Sequence, residues 1–451
     1  MQLVVDLVLA DAKAYIGGEI VECSFAIDEG RIKKIGKEPN MPKADERASL
    51  NHLLVLPGVI DSHAHLRDEE KAYKETFLTG TSAAACGGVT TVLDMPNNLP
   101  VTMSVETLRN RMQIAERKVL VNVGFYSEFP EGLDEIEPIL KEGAVGFKLF
   151  MMEKVGGLDI DDDDALENAL KLIAEMKVPL AVHAEDHFLL KKALDMFRLN
   201  RQDNLSAFLR AHNENVELAS VERLLNIAKK IEDLHLHFCH ISTEKALSAV
   251  AEAKKSRNNV TCEVTPHHLI LTTAAYEHFG TMALTVPPLR TKENVDALWS
   301  GIVEGTVDTI GDDHAPHSVE EREMKNVWDV KAGIPGLETT LPLVLTMVHQ
   351  NKLSLARAIE LISEKPAEVF GLTGTGKLEA GKSADLVVVD FNRKYRINAS
   401  AFKSKAKFSP FDAMDVQGKP LKTFVNGVLV MDDGDIVAKM GSGHLIRGKL
   451  E

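Results

Sequence analysis

The chain has 451 residues, 45% of them hydrophobic, and a formal net charge of −15 at pH 7. That length exceeds one small domain and suits an α/β barrel plus a second unit. The acidic balance argues against nucleic acid or an anionic membrane as the main partner, while leaving a small anionic substrate open.

The four cysteines, Cys23, Cys86, Cys239 and Cys262, show no C-x-x-C spacing, which argues against a zinc knuckle or a disulfide framework and for a reducing compartment. Met1 to Ala10 carries Asp6 and no basic leader, and no apolar run reaches a membrane span. A soluble, cytoplasmic protein is expected.

From Leu3 to Ile35 short pieces alternate apolar and polar residues, with turns at Gly17-Gly18 and Glu29-Gly30, as antiparallel strands do. From Leu54 to Phe370 strands alternate with helices. The predicted strands are Leu54 to Ile60, Thr90 to Met95, Leu120 to Phe125, Gly146 to Phe150, Leu180 to His183, Leu234 to His240, Asn259 to Val264 and Thr306 to Gly311. Amphipathic stretches between them include Tyr73 to Cys86, Val105 to Arg117, Asp163 to Met176, Asn215 to Ile231 and Glu244 to Lys255. This alternation predicts a (β/α)8 TIM-like barrel; an open doubly wound sheet would place a glycine turn where the first strand instead ends in histidines. After Phe370 strands return at Ala384 to Asp390, Lys422 to Met431 and Ile436 to Lys439, with a hairpin turn at Asp432-Asp433-Gly434. The two ends therefore predict one small β-sandwich, residues 1–53 with 376–451, around a barrel at 54–375. Gly376 to Ser383 satisfies the phosphate-loop pattern, but a strand follows it where that mechanism needs a helix, so it is expected to be a hairpin turn.

His63 and His65 end the first barrel strand, and strand alternation points both to one side, where two imidazoles can grip a metal ion. Alone, the pair is better explained by satisfied polar residues at a strand end. Lys148, His183, His240 and Asp313 stand in or just after further strands, which would bring them to the same barrel mouth.

Four histidines, a lysine and an aspartate make a two-metal site if carbon dioxide converts Lys148 to a carbamate, which can bridge ions roughly 3.5–4 Å apart. The plainer alternative is a free Lys148 amine paired with Asp313 beside a single metal. Two metals sharing a water would lower its pKa from about 15.7 toward 7. Asp313 could then serve as general base and later general acid in cleaving an amide-like bond. His235 and His237 alternate with His240 and are expected outside the barrel. His267, His268 and His314 are expected to be structural, with a supporting place behind the metal ligands as the alternative, and His212 carries no site signal.

The stretches PGVIDSHAHLRD, TGTSAAACGGVTTVLDMPN, GFKLF, VHAED, CHIST, TCEVTPHHL, VPPLR, DDHAPH and GIPGLET occur in an order that resembles the dihydroorotase group of cyclic amidohydrolases over nearly the whole chain. The resemblance implies reversible hydrolysis of dihydroorotate to N-carbamoyl-L-aspartate in pyrimidine (UMP) synthesis. It implies two zinc ions bridged by carboxylated Lys148 and a hydroxide, held by His63, His65, His183, His240 and Asp313. It also implies Arg67, Asn97 and His317 as readers of the substrate carboxylate, and leaves open a homodimer or association with another pyrimidine-pathway enzyme.

A guanidinium beside the His-x-His pair suits a bidentate grip on a carboxylate, which dihydroorotate has and simple hydantoins and dihydropyrimidines lack. Allantoinase or hydantoinase activity is the alternative, and a catalytically silent scaffold is a third, disfavoured by the complete ligand set. Three departures from the group stand out: Glu69-Glu70 for Pro-Gly, which puts two carboxylates near the mouth, Val286 for Asn, and Asp312 for a small residue.

Overall fold

The computed structural model of the chain describes residues 4–257 and 259–448; Leu3, where the first predicted strand begins, lies outside them. Two nine-stranded sheets organise the fold. One is mixed and draws on both ends of the chain. Val4–Ile16 pairs antiparallel with Glu19–Asp28 and parallel with Lys43–Ser49 and Leu54–Pro57. Leu54–Pro57 pairs antiparallel with Leu386–Arg396, which continues through Asp415–Val425 to Val428–Asp432. Leu9, Phe25, Ile27, Val55, Leu386, Val388 and Phe424 share its core, so the β unit built from both termini is present.

The other sheet is the barrel. Its parallel strands pair in sequence order: β1 (Val59–Ala64), β2 (Val89–Asp94), β3 (Asn122–Ser127), β4 (Gly146–Phe150), β5 (Leu180–His183), β6 (Leu236–Phe238), β7 (Val260–Val264) and β8 (Thr309–Ile310). Helices such as Phe77–Cys86, Val105–Glu116, Asp163–Glu175, Glu214–Ala228 and Glu244–Lys254 cover the outside, which is why these strands are almost continuously apolar. Closure comes where Ala64 bridges His314 and the His65 amide donates to the His314 carbonyl at 2.8 Å.

At the base, the C-terminal strand Leu445–Ile446 pairs with Val123 and Gly124 of β3. Phe370 packs edge-on against Tyr126 and His237 inside the barrel, at 5.8 and 5.1 Å between ring centres. The interior is plugged there, and the open mouth lies at the C-terminal ends of the strands.

Four local expectations change, and one is that the strand expected at Ile436 to Lys439 is only Asp435–Ile436. The run Leu54 to Ile60 is two strands, split at Pro57-Gly58, because the chain crosses from the mixed sheet into the barrel there. A Cβ on Gly58 would stand 2.1 Å from Thr90 Oγ1, so only glycine permits that crossing. Lys422 to Met431 is likewise two strands around Asn426-Gly427, whose φ angles of 48° and 77° make a primed hairpin turn. Gly376 to Ser383 is a connecting loop, not a hairpin turn. It joins the helix Lys365–Val369 to the strand Leu386–Arg396 and docks on Ile32 through backbone hydrogen bonds of 2.7 and 2.9 Å. Among the described residues no helix is long and apolar enough to cross a membrane, and all four cysteines are free thiols.

Candidate active site

His63 is the penultimate residue of β1 and His65 follows the strand, and both aim Nε2 at Asp313 Oδ1, at 3.4 and 3.2 Å. Their other nitrogens are held from behind: His63 Nδ1 faces Glu263 Oε1 at 2.8 Å and His65 Nδ1 faces Asn97 Oδ1 at 2.7 Å. Those partners take the ring proton, leaving Nε2 as the bare nitrogen toward the mouth. Burial holds both rings well below the usual histidine range, reinforced by Lys148 on His63 and Arg67 on His65. They are neutral, as metal ligation requires.

His183 ends β5. Glu185 accepts from its Nε2 at 2.9 Å, which turns Nδ1 toward His240 Nε2 at 3.0 Å. The His240 ring lies 5.1 Å from that of His63, and its Nδ1 is buried without a partner.

Lys148, fully buried on β4, places Nζ 3.0 Å from Cys239 Sγ. It makes no salt bridge with Asp313, so the free-amine pairing considered from sequence is not found. Neutral, convergent nitrogens, a shared carboxylate and carboxylates behind the rings are the donor chemistry of a divalent metal centre, and the residues present fit one.

Arg67 lies beside this cluster, 5% exposed, with NH2 3.4 Å from His317 Nε2 and its Nε without a partner. Lys74 donates to His317 Nδ1 at 3.0 Å and pairs with Glu321 at 2.9 Å. Arg67, Asp68 and Glu69 all have positive φ, 56°, 59° and 49°, a conformation that costs about 1–2 kcal/mol per non-glycine residue. Ion pairs hold it: Asp68 meets Lys118 at 2.9 Å, and Glu69 meets Arg111 at 2.6 Å while Arg111 also grips Asp94.

Glu69, expected near the mouth, therefore spends its carboxylate on Arg111, and Glu70 is exposed. Val286 packs on an apolar cluster with Tyr276 and Leu284. Asp312 is buried against Asp61, whose Oδ1 accepts from the Asp312 amide at 3.1 Å. Burial is the main cause that raises both carboxyls, Asp61 to about 7.

Of the nine predicted site residues, contacts join His63, His65 and Asp313, tie Asn97 to His65, His183 to His240 and Arg67 to His317, and set Lys148 on Cys239. Two expectations about other histidines fail. His237 points into the barrel, because it is in register with Lys148 through Ala181. Alternation misleads since β6 ends at Phe238 and His240 has a φ of 36°, which turns its ring to the mouth instead of away from it. His212, given no role, donates from Nδ1 to Glu185 Oε1 at 2.8 Å and so braces His183 from one residue further out. His268 and His314 are structural as expected: His268 bonds Thr265 and the Pro287 carbonyl, and His314 takes the Gly336 amide.

Glu263, Glu185 and Cys239 were missed. A glutamate inside the apolar run of β7 is itself a signal, since lone buried carboxylates need partners.

A parallel eight-stranded barrel with histidines, a lysine and an aspartate converging at its C-terminal mouth defines the metal-dependent barrel hydrolases. The profile described as "Amidohydrolase family" matches residues 54–430. The chain belongs to the amidohydrolase family. A dihydroorotase of Methanothermobacter thermautotrophicus is 38% identical over 424 residues, 94% of this chain and 94% of that protein. An L-hydantoinase of Paenarthrobacter aurescens is 30% identical over 448 residues, 98% of each. Among solved structures, L-hydantoinase (dihydropyrimidinase) from Arthrobacter aurescens superposes with a TM-score of 0.93 at 30% identity, covering 98% of this chain and all of that one.

Proposed function

We propose that this chain is a dihydroorotase, interconverting (S)-dihydroorotate and N-carbamoyl-L-aspartate in pyrimidine synthesis. The observation that carries the reading is Arg67: a buried guanidinium with no carboxylate partner among the described residues, flanked by His317 and by Asn97 on the far side of His65. Such a group suits a substrate carboxylate. The similarity to dihydroorotases of several archaea supports it.

In this reading His63, His65, Lys148, His183, His240 and Asp313 hold a pair of zinc ions. A buried lysine whose one hydrogen-bond partner among the described residues is a thiol is costly as an ammonium, which supports the carboxylated form. When bound, the metal would polarise the ring amide carbonyl and bring the pKa of water toward about 7.

The chain's own groups do the rest. Arg67, Asn97 and His317 fix the ring through its carboxylate and present the amide to the mouth. Both histidine contacts of Asp313 fall on Oδ1, so Oδ2 is the oxygen that takes a proton from water and passes it to the departing ring nitrogen. Glu263 and Glu185 keep His63 and His183 oriented, and the plugged base keeps bulk water to one side.

The second reading is an L-hydantoinase, favoured by the superposition on the Arthrobacter enzyme and by the apolar Val286 where a polar side chain is expected. Parallel assays of the purified protein on dihydroorotate, hydantoins and dihydrouracil decide between them. Dihydroorotate should be preferred by kcat/KM, and preference for an uncharged ring would remove the first reading.

A further inference from the structure

The loop after Arg67 brings a second cation to the same place. Lys71 is half-buried. Its Nζ donates to the Asn97 carbonyl at 2.6 Å, and the Asn97 side chain in turn holds His65. No carboxylate lies within salt-bridge distance of Lys71 among the described residues. Burial is the largest cause that lowers its pKa to about 8, followed by the charges of Arg67, Lys74 and Arg111, with Glu153 opposing them.

Arg67 and Lys71 thus share one polar mouth, and among the described residues neither has an acid partner within salt-bridge distance. Like charges gathered without a counter-charge destabilise a folded chain, and they are retained where an anion binds. The loop is also braced rather than slack, by Asp68 on Lys118 and Glu69 on Arg111, so the ammonium is delivered to a defined place. The Glu69-Glu70 departure falls in this brace.

We propose that Lys71 is a specificity-determining residue: it adds to Arg67 a second positive charge that favours rings bearing a carboxylate, and the dicarboxylate formed on ring opening, over uncharged rings. The inference rests on the dihydroorotase reading above and deepens it.

The test uses full-length, zinc-loaded protein carrying Lys71→Gln or Lys71→Arg, with dihydroorotate, N-carbamoyl-aspartate and dihydrouracil, the last as substrate or inhibitor. Lys71→Gln should raise KM for dihydroorotate roughly five- to twentyfold at low ionic strength, and for the dicarboxylate by more. The dihydrouracil constant, kcat and zinc content should be unchanged, the salt dependence of KM should flatten, and Lys71→Arg should restore most of the lost affinity. An equal change for charged and uncharged rings would assign Lys71 to loop structure and overturn the proposal, as would no change at all. If the unmutated enzyme acts only on uncharged rings, the function reading itself fails, a result seen in the control before any variant is compared.

Discussion

Replacing Arg67 by methionine separates reading a carboxylate from cleaving a ring. The side chain is 5% exposed, its pKa is pulled down to about 10 mainly by burial, and its nearest polar partner is His317 at 3.4 Å. A substrate carboxylate about 4 Å from the guanidinium, at an effective dielectric of about 20, gains about 4 kcal/mol. At about 1.36 kcal/mol per factor of ten, that predicts a fall of roughly 10²- to 10³-fold in kcat/KM for dihydroorotate. Dihydrouracil or hydantoin turnover should stay within a few-fold of the unmutated enzyme. Stability should move the other way. An unpaired buried cation opposes folding, so the variant should melt at the same temperature or slightly higher. Steady-state kinetics on both ring types and a thermal melt suffice. Equal loss on charged and uncharged rings, or a melting temperature lowered by more than about 5 °C, would refute the assignment of Arg67 to the substrate.

Other perturbations test other parts of the site. Asp313→Asn should keep its metal by elemental analysis and lose most turnover; near-normal activity would remove the proton-transfer role. Glu263→Gln should weaken metal affinity about 10- to 100-fold, read by chelator competition, since it takes away the acceptor behind His63 Nδ1; unchanged affinity would make Glu263 a packing residue only. Burial holds His63, His65 and His240 below the usual range. Their unfolded counterparts take up protons below about pH 6.5 while the folded rings do not, so acid favours the unfolded state by up to about 1.4 kcal/mol per pH unit per ring. Metal-free protein should therefore melt progressively lower as pH falls from about 7 to about 5, and a flat profile would contradict neutral buried rings.

Much of this was legible in the sequence because the barrel strands are apolar on both faces and bounded by helical periodicity, so Gly146–Phe150 and Leu180–His183 fall where the pattern puts them. The candidate site residues were legible because polar groups at the ends of such strands have no packing reason to be there. What escaped was governed by single backbone angles and long-range partners. His240 reaches the mouth through a positive φ that strand parity cannot anticipate, and the same error sent His237 outside the barrel. The Asn426-Gly427 turn was hidden inside an apolar run, although that dipeptide is a strong hairpin signal. Glu263 acts on His63 from 200 residues away and His212 on Glu185 from 27, relations no local pattern carries. Glu69 looked like a carboxylate at the mouth until Arg111, on a distant helix, claimed it.

The most direct measurement is an anomalous-scattering map at the zinc edge from crystals grown with dihydroorotate. Two peaks roughly 3.5–4 Å apart are expected, one toward His63 and His65 and the other toward His183 and His240. Continuous density should extend from Lys148 Nζ between them, with the ligand carboxylate on Arg67. Peaks elsewhere, or an unmodified Lys148 beside a single ion, would contradict the two-metal centre.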